Sequence, residues 1–150
     1  MKRFGFRLEK VLNYREEIEQ QRQLVLARAV EAVEAQKREL ERLQEAAAEA
    51  MAEMRKSEGT KVDVAMLRVG LAHLGAVRRK ATKTSARLEV ASKESAEARE
   101  RLIDARKDRR ALELLRAQRA AEYDHETDVQ DQKELDEIGS RPWQVERAEE

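Results

Sequence analysis

Apolar residues recur through the first third of the chain at steps of three and four. Leu26, Ala29, Val33, Gln36, Leu40, Leu43, Ala47, Ala50 and Met54 follow one another in this way, and among them only Gln36 is polar. The residues between them are mostly Glu, Arg, Lys, Gln and Ala. Such a spacing averages 3.5 residues, the period of a heptad a/d seam. One helix cannot bury such a seam by itself, so a second helix is required. Upstream, Leu8, Val11, Arg15, Ile18, Arg22, Val25 and Ala29 continue the spacing with two Arg in it. Val25, Ala29 and Val33 then make two successive steps of four, a stutter that predicts local unwinding of the supercoil. No proline precedes Pro142 and no glycine lies between Gly5 and Gly59. A helix of roughly 50 residues, about 75 Å long at ~1.5 Å per residue, is therefore allowed.

Ser57-Glu58-Gly59-Thr60 predicts the break. Gly59 suits a left-handed position just past a helix, and Arg55 and Lys56 suit the negative end of the helix dipole. Thr60 with Asp63 reads as a capping-box variant for the returning helix. From Val62 to Val77 the chain is at its most apolar, with Gly70 and Gly75 predicting a less regular helix there. A second seam follows at Val77, Ala81, Thr84, Leu88, Ala91, Ser95, Ala98, Leu102, Ala105, Arg109 and Leu112, and its small residues allow close approach of two helices. Gly139, Ser140 and Pro142 predict the stop. The pattern as a whole predicts an all-α fold, a long antiparallel two-helix coiled-coil hairpin. It forms a single elongated domain over 1–150, with helices over about 8–56 and 62–138, a turn at about 57–60 and a flexible tail over 139–150.

Composition narrows this without changing it. Charged residues make up 41% and aromatics 3%, a mix that supports long helices and not a broad core. Acidic and basic residues number 31 each, so no net charge draws the chain to nucleic acid, membrane or acidic ligands. The charge is segregated, however. Lys61, Arg68, Arg78, Arg79, Lys80, Lys83 and Arg87 face only Asp63 in their stretch of sequence, whereas Glu122 to Ile138 holds eight acids and the single base Lys133. An antiparallel hairpin could lay that acidic end beside the basic arm of Lys2, Arg3, Arg7 and Lys10. The alternative is a tight turn at Gly59, which leaves the acidic end overhanging the N-terminus by several turns.

The chemistry of sites is sparse. The chain has no cysteine, so nothing points to an oxidising compartment, a thiol nucleophile or a Cys-based zinc site. The basic start at Lys2 and Arg3 is not followed by the apolar core of a signal peptide, and no window approaches the ~20 apolar residues of a membrane span. A soluble, cytoplasmic protein with no direct membrane insertion is expected. Glu122-x-x-His125 has half the spacing of a di-iron carboxylate motif but lacks the second Glu-x-x-His and the further glutamates; a solvated His125 is the plainer reading. No G-x-x-x-x-G-K-[ST] is present, so the chain is not itself a P-loop ATPase. Ser57, Ser85, Ser92 and Ser95 have no base nearby. No enzyme and no cofactor are expected. Arg78 to Arg87 has no interleaved aromatics for stacking on bases, so a solvated helix face is favoured over nucleic-acid binding.

Two terminal segments carry a resemblance. Phe4-x-Phe6-x-Leu8-Glu9-x-Val11-Leu12-x-x-Arg15 and Asp131-Gln132-Lys133-Glu134-Leu135-Asp136-Glu137-Ile138 resemble the FliJ family of flagellar type III export proteins. The resemblance implies a central-stalk-like hairpin whose joined ends enter the hole of the hexameric flagellar export ATPase. The plug would be formed by Phe4, Phe6, Leu8, Val11, Leu12 and Arg15 with Lys133, Leu135, Asp136 and Ile138. It also implies contact with the membrane export gate nearer the turn, export chaperones as further candidates, and a place at the flagellar base on the inner membrane. Pro142-Trp143 and the acidic run from Glu122 to Asp131 match no feature of the family.

Bland readings stand beside these. Arg15 and Arg22 either pack their stems across a loose seam or meet an acidic partner. Gln36 reads as a polar seam residue fixing register. Phe4 and Phe6 either cap the open end locally or, if exposed, anchor a partner. Leu67, Leu71, Leu74 and Val77 are core at the turn end or, in part, a docking patch for the gate or another partner. The chain is expected to be monomeric when isolated. The competing expectation is a coiled-coil spacer or scaffold that self-associates in parallel.

Overall fold

The computed structural model describes residues 4–56, 61 and 63–140. Two helices account for nearly all of them: α1, Glu9–Lys56, and α2, Val64–Ser140. The two pack against each other, and among the described residues there is no strand, so the fold is the all-α helical hairpin that the two seams predict. The turn expected at 57–60 and the tail from 141 lie outside the described residues.

Local chemistry fixes the helix ends. The Glu9 amide donates to the Phe6 carbonyl (3.1 Å) and the Leu12 amide to the Leu8 carbonyl (2.9 Å), so the chain winds into α1 from Phe6. Glu9 lies in the first turn of α1 and Arg55 and Lys56 in its last, matching the helix dipole at both ends. Asp63 is the N-cap of α2: its carboxylate accepts from the Ala65 amide (2.9 Å) and its carbonyl from the Leu67 amide (3.0 Å). At the other end α2 runs through Gly139 to Ser140, whose hydroxyl donates to the Glu137 carbonyl (3.1 Å). Glycine is only mildly unfavourable in a helix, so Gly139 does not end it; Gly70 and Gly75 likewise lie inside α2.

Glu17–Arg106 forms one compact unit, and the described residues on either side of it form another. Within Glu17–Arg106, Glu19 meets Arg106 and Met51 meets Arg78, so the helices run antiparallel. Beside Gly70 a Cβ would stand 3.4 Å from Met54 Sδ; the missing side chain leaves room for Met54. Pairing has therefore begun by Gly70, which excludes a broad turn spanning Val62 to Val77. Leu43 from α1 and Leu74, Val77, Thr84, Ala91, Ala98, Leu102 and Ala105 from α2 are buried; all but Leu74, three residues before Val77, lie on the expected seams. In the other unit Phe4 meets Tyr123, Glu9 meets Arg116 and Arg15 meets Asp108, again antiparallel.

The upstream seam departs from expectation. Leu12 and Glu19 are buried while Leu8, Val11 and Val25 are exposed. The positions turned inward in α1 are Leu12, Arg15, Glu19, Arg22, Leu26 and Ala29, which keep the three-four rhythm unbroken. No stutter exists. Val11, Ile18 and Val25, seven apart, form a flanking apolar row that imitates the seam, and the charge on Glu19 hides the true position. Glu19 (7% exposed) accepts from Arg106 Nε and Gln23 Nε2, both at 3.3 Å, which satisfies its carboxylate.

Candidate partner-binding end

The end bearing the N-terminus is built differently from a closed helix pair. Residues 4–8 are not yet helical, and Phe4 and Phe6 are half-buried beside α2. The Phe4 ring lies 5.7 Å from that of Tyr123, tilted by 51°, within the range of a favourable aromatic pair. A cleft of about 900 Å³ opens there, lined by Phe4, Phe6 and Leu8 on one side and Leu115, Arg119 and Tyr123 on the other. Beneath it Leu12 is 2% exposed. Ion pairs flank it, Arg116 Nε to Glu9 at 3.3 Å and Arg15 Nη1 to Asp108 at 3.1 Å.

The sequence-derived site residues separate into three groups. Phe4, Phe6, Leu8 and Val11 lie at or beside the cleft, with Leu8 and Val11 exposed. Leu12 is core, and Arg15 is engaged with Asp108, so neither is simply presented to solvent. Lys133, Leu135, Asp136 and Ile138 are all exposed on α2, the two apolar ones at 68% and 66%. Because Phe4 is level with Tyr123, the third group begins ten residues further on, roughly 15 Å along a helix. The N-terminal residues are thus brought together with 108–126, not with 133–138. Of the basic arm, the described Arg7 and Lys10 are exposed, and 128–140 is exposed throughout. Apolar burial, which outweighs exposed charge pairs, sets this alignment of 4–16 with 108–126.

Leu115, Arg119 and Tyr123 were missed by sequence reasoning, since the apolar stripe thins after Leu115. The only signal was Tyr123 itself, a rare aromatic at helical spacing from Leu115. Near the turn, Leu74 and Val77 are buried in the seam, while Leu67 and Leu71 remain exposed with Val64, Met66 and Val69. A second groove of about 860 Å³ opens among Ala46, Ala50, Met54, Met66, Val69 and His73.

Ion pairs on the helix surfaces tune their own groups. A hydrogen bond from Arg42 lowers the Glu39 pKa and one from Lys93 lowers that of Glu89, both below the usual carboxylate value. Reciprocally, hydrogen bonds to Glu39 and Glu53 raise Arg42 and Lys56. None of these groups lies at the cleft. His125 is exposed and Glu122 pairs with Arg119 at 2.8 Å. Among the described residues no three potential ligands stand together to hold a metal ion, and no helix is long and apolar enough to cross a membrane.

The family model for the flagellar FliJ protein matches residues 4–148. The chain belongs to the FliJ family. Membership makes it a flagellar, export-related protein, of a family that is a structural export component and not a known enzyme family. The match spans both terminal motifs and both helices. No curated protein and no solved structure matches the chain.

Proposed function

We propose that this FliJ-family chain is a non-enzymatic, central-stalk-like component of the export apparatus. It binds the hexameric export ATPase through the end carrying Phe4, Phe6, Leu8 and Val11 and couples it to the membrane export gate. The observation that supports this reading is the half-open cleft at that end, where Phe4, Phe6, Leu8, Leu115 and Tyr123 stand among Arg7, Arg119, Glu122 and Glu126. Exposed apolar surface on a small protein marks contact sites. Lys133, Leu135, Asp136 and Ile138 would extend the contact further along α2, and Leu67 and Leu71, with Val64, Met66 and Val69, would serve the gate. An asymmetric pair of helices inside a symmetric ring contacts each subunit differently, so it biases their nucleotide states through differential affinity.

Deleting residues 1–7 removes Phe4 and Phe6 while leaving α1 and α2 whole. The deletion is expected to abolish ATPase binding in a pull-down or titration, with helicity by circular dichroism unchanged. Undiminished binding would exclude the plug. A parallel self-associating scaffold is not favoured, because α1 and α2 bury their seams against each other within one chain.

A further inference from the structure

Two segments, one leading into the start of α2 and one near its end, carry strong and opposite charge. From Lys61 to Leu88 seven basic residues stand against Asp63, and from Glu122 to Ile138 eight acidic residues stand against Lys133. The helix paired with the basic segment compensates it only in part: Glu39 feels the charge of Lys80, but residues 37–56 carry five acids and five bases. Several of those are already engaged within α1, Arg42 with Glu39 and Lys56 with Glu53. Arg68, Arg79, Lys83 and Arg87 are exposed. The acidic segment has still less to meet, since α2 beyond Thr127 is exposed on every side. Each segment also exposes apolar side chains, Leu135 and Ile138 on the acidic one and Val64, Met66, Val69 and Leu71 on the basic one.

We propose that the acidic end of α2 docks on the basic, turn-proximal part of α2 in a second copy of this chain. The occupant is identified by complementarity of both kinds, opposite charge around exposed apolar anchors. The pairing is between copies, so it depends on concentration. The contact joins unlike segments, so it either closes reciprocally in a dimer or continues head to tail, and in both cases association grows with concentration. Being electrostatic and exposed, it is weak in salt and suited to reversible storage of chains whose acidic end is not otherwise engaged.

The test is sedimentation equilibrium of the full chain across a concentration series, at about 0.1 M and about 1 M salt, where the Debye length falls from ~10 to ~3 Å. Average mass is expected to rise with concentration at the lower salt, and the association constant to fall about tenfold or more at the higher. A variant with Arg79→Glu, Lys83→Glu and Arg87→Glu should stay monomeric alone, as should one with Glu134→Lys, Asp136→Lys and Glu137→Lys. Mixing the two restores ends and segments of opposite charge in both directions, so association is expected to return in the mixture. Monomer at every concentration in low salt overturns the proposal. So does association that survives both variants, which would mark a different interface. The proposal does not depend on ATPase binding.

Discussion

The two ends of the chain's helix pairing solve different problems. Within Glu17–Arg106, Leu43, Leu74, Val77, Ala91, Ala98, Leu102 and Ala105 are buried in a nearly dry seam. In the unit carrying the N-terminus, Leu12 is the one buried apolar residue among those described, and Arg15–Asp108 and Glu9–Arg116 hold the flanks. Exposed ion pairs contribute ~0–1 kcal/mol each, whereas a buried leucine contributes several times that. Stability therefore resides mainly within Glu17–Arg106, and the unit carrying the N-terminus leaves more of its helix pairing incomplete. Regions that must open or engage are drawn from the less stable part of a protein.

Core truncation should separate the two regions most strongly. Leu43→Ala is expected to cost about 2–5 kcal/mol of global stability by denaturant unfolding, and Leu12→Ala to act mainly by speeding amide exchange in residues 9–16. Equal global losses from both would erase the contrast. Next in size is the buried carboxylate. Arg106→Ala leaves Glu19 short of a partner and should cost about 1–3 kcal/mol. Glu19→Leu removes the charge altogether and should be neutral or stabilising. The reverse order in thermal denaturation would contradict the reading of Glu19 as a tolerated polar seam residue.

Smaller effects sharpen the picture. Gly75→Ala should stabilise by about 0.5–1 kcal/mol, because a Cβ there meets only the mobile tip of Arg79 at 3.4 Å; a loss in melting temperature would refute this. A double-mutant cycle on Arg15 and Asp108 should return about 0.2–1 kcal/mol and shrink with salt. Smallest of all is the acid limb of stability. Glu39 and Glu89 have folded pKa values lowered by hydrogen bonds from Arg42 and Lys93. Their contribution is present above the unfolded carboxylate range and is lost as pH falls through the folded values. The acid limb should therefore flatten slightly in the Glu39→Gln, Glu89→Gln variant, measured by unfolding from pH 7 down to about 3.

Much of the fold was legible because apolar spacing carried it. Every seam position read between Val77 and Leu112 is turned inward, and so are those from Leu26 to Met54. The upstream seam was not legible, because Val11, Ile18 and Val25 offered a more apolar row than the true one through Glu19. The Arg106 partner, 87 residues away, together with Gln23, makes a buried glutamate there intelligible. Register escaped as well: segregated charge pointed to pairing of the acidic end with the N-terminal arm, yet burial of Leu12 and the seam decides alignment. The candidate site was half legible, since the Phe4 and Phe6 motif lies on one helix and its complement, Leu115 and Tyr123, becomes adjacent only through that register.

The most direct measurement is amide hydrogen exchange on the chain alone and with the hexameric export ATPase. New protection confined to residues 4–16 and 108–126 is expected, with exchange across 74–105 unchanged. Protection falling on 74–105 instead, or none at all with the ATPase in excess, would contradict the assignment of the N-terminal end as the partner-binding surface.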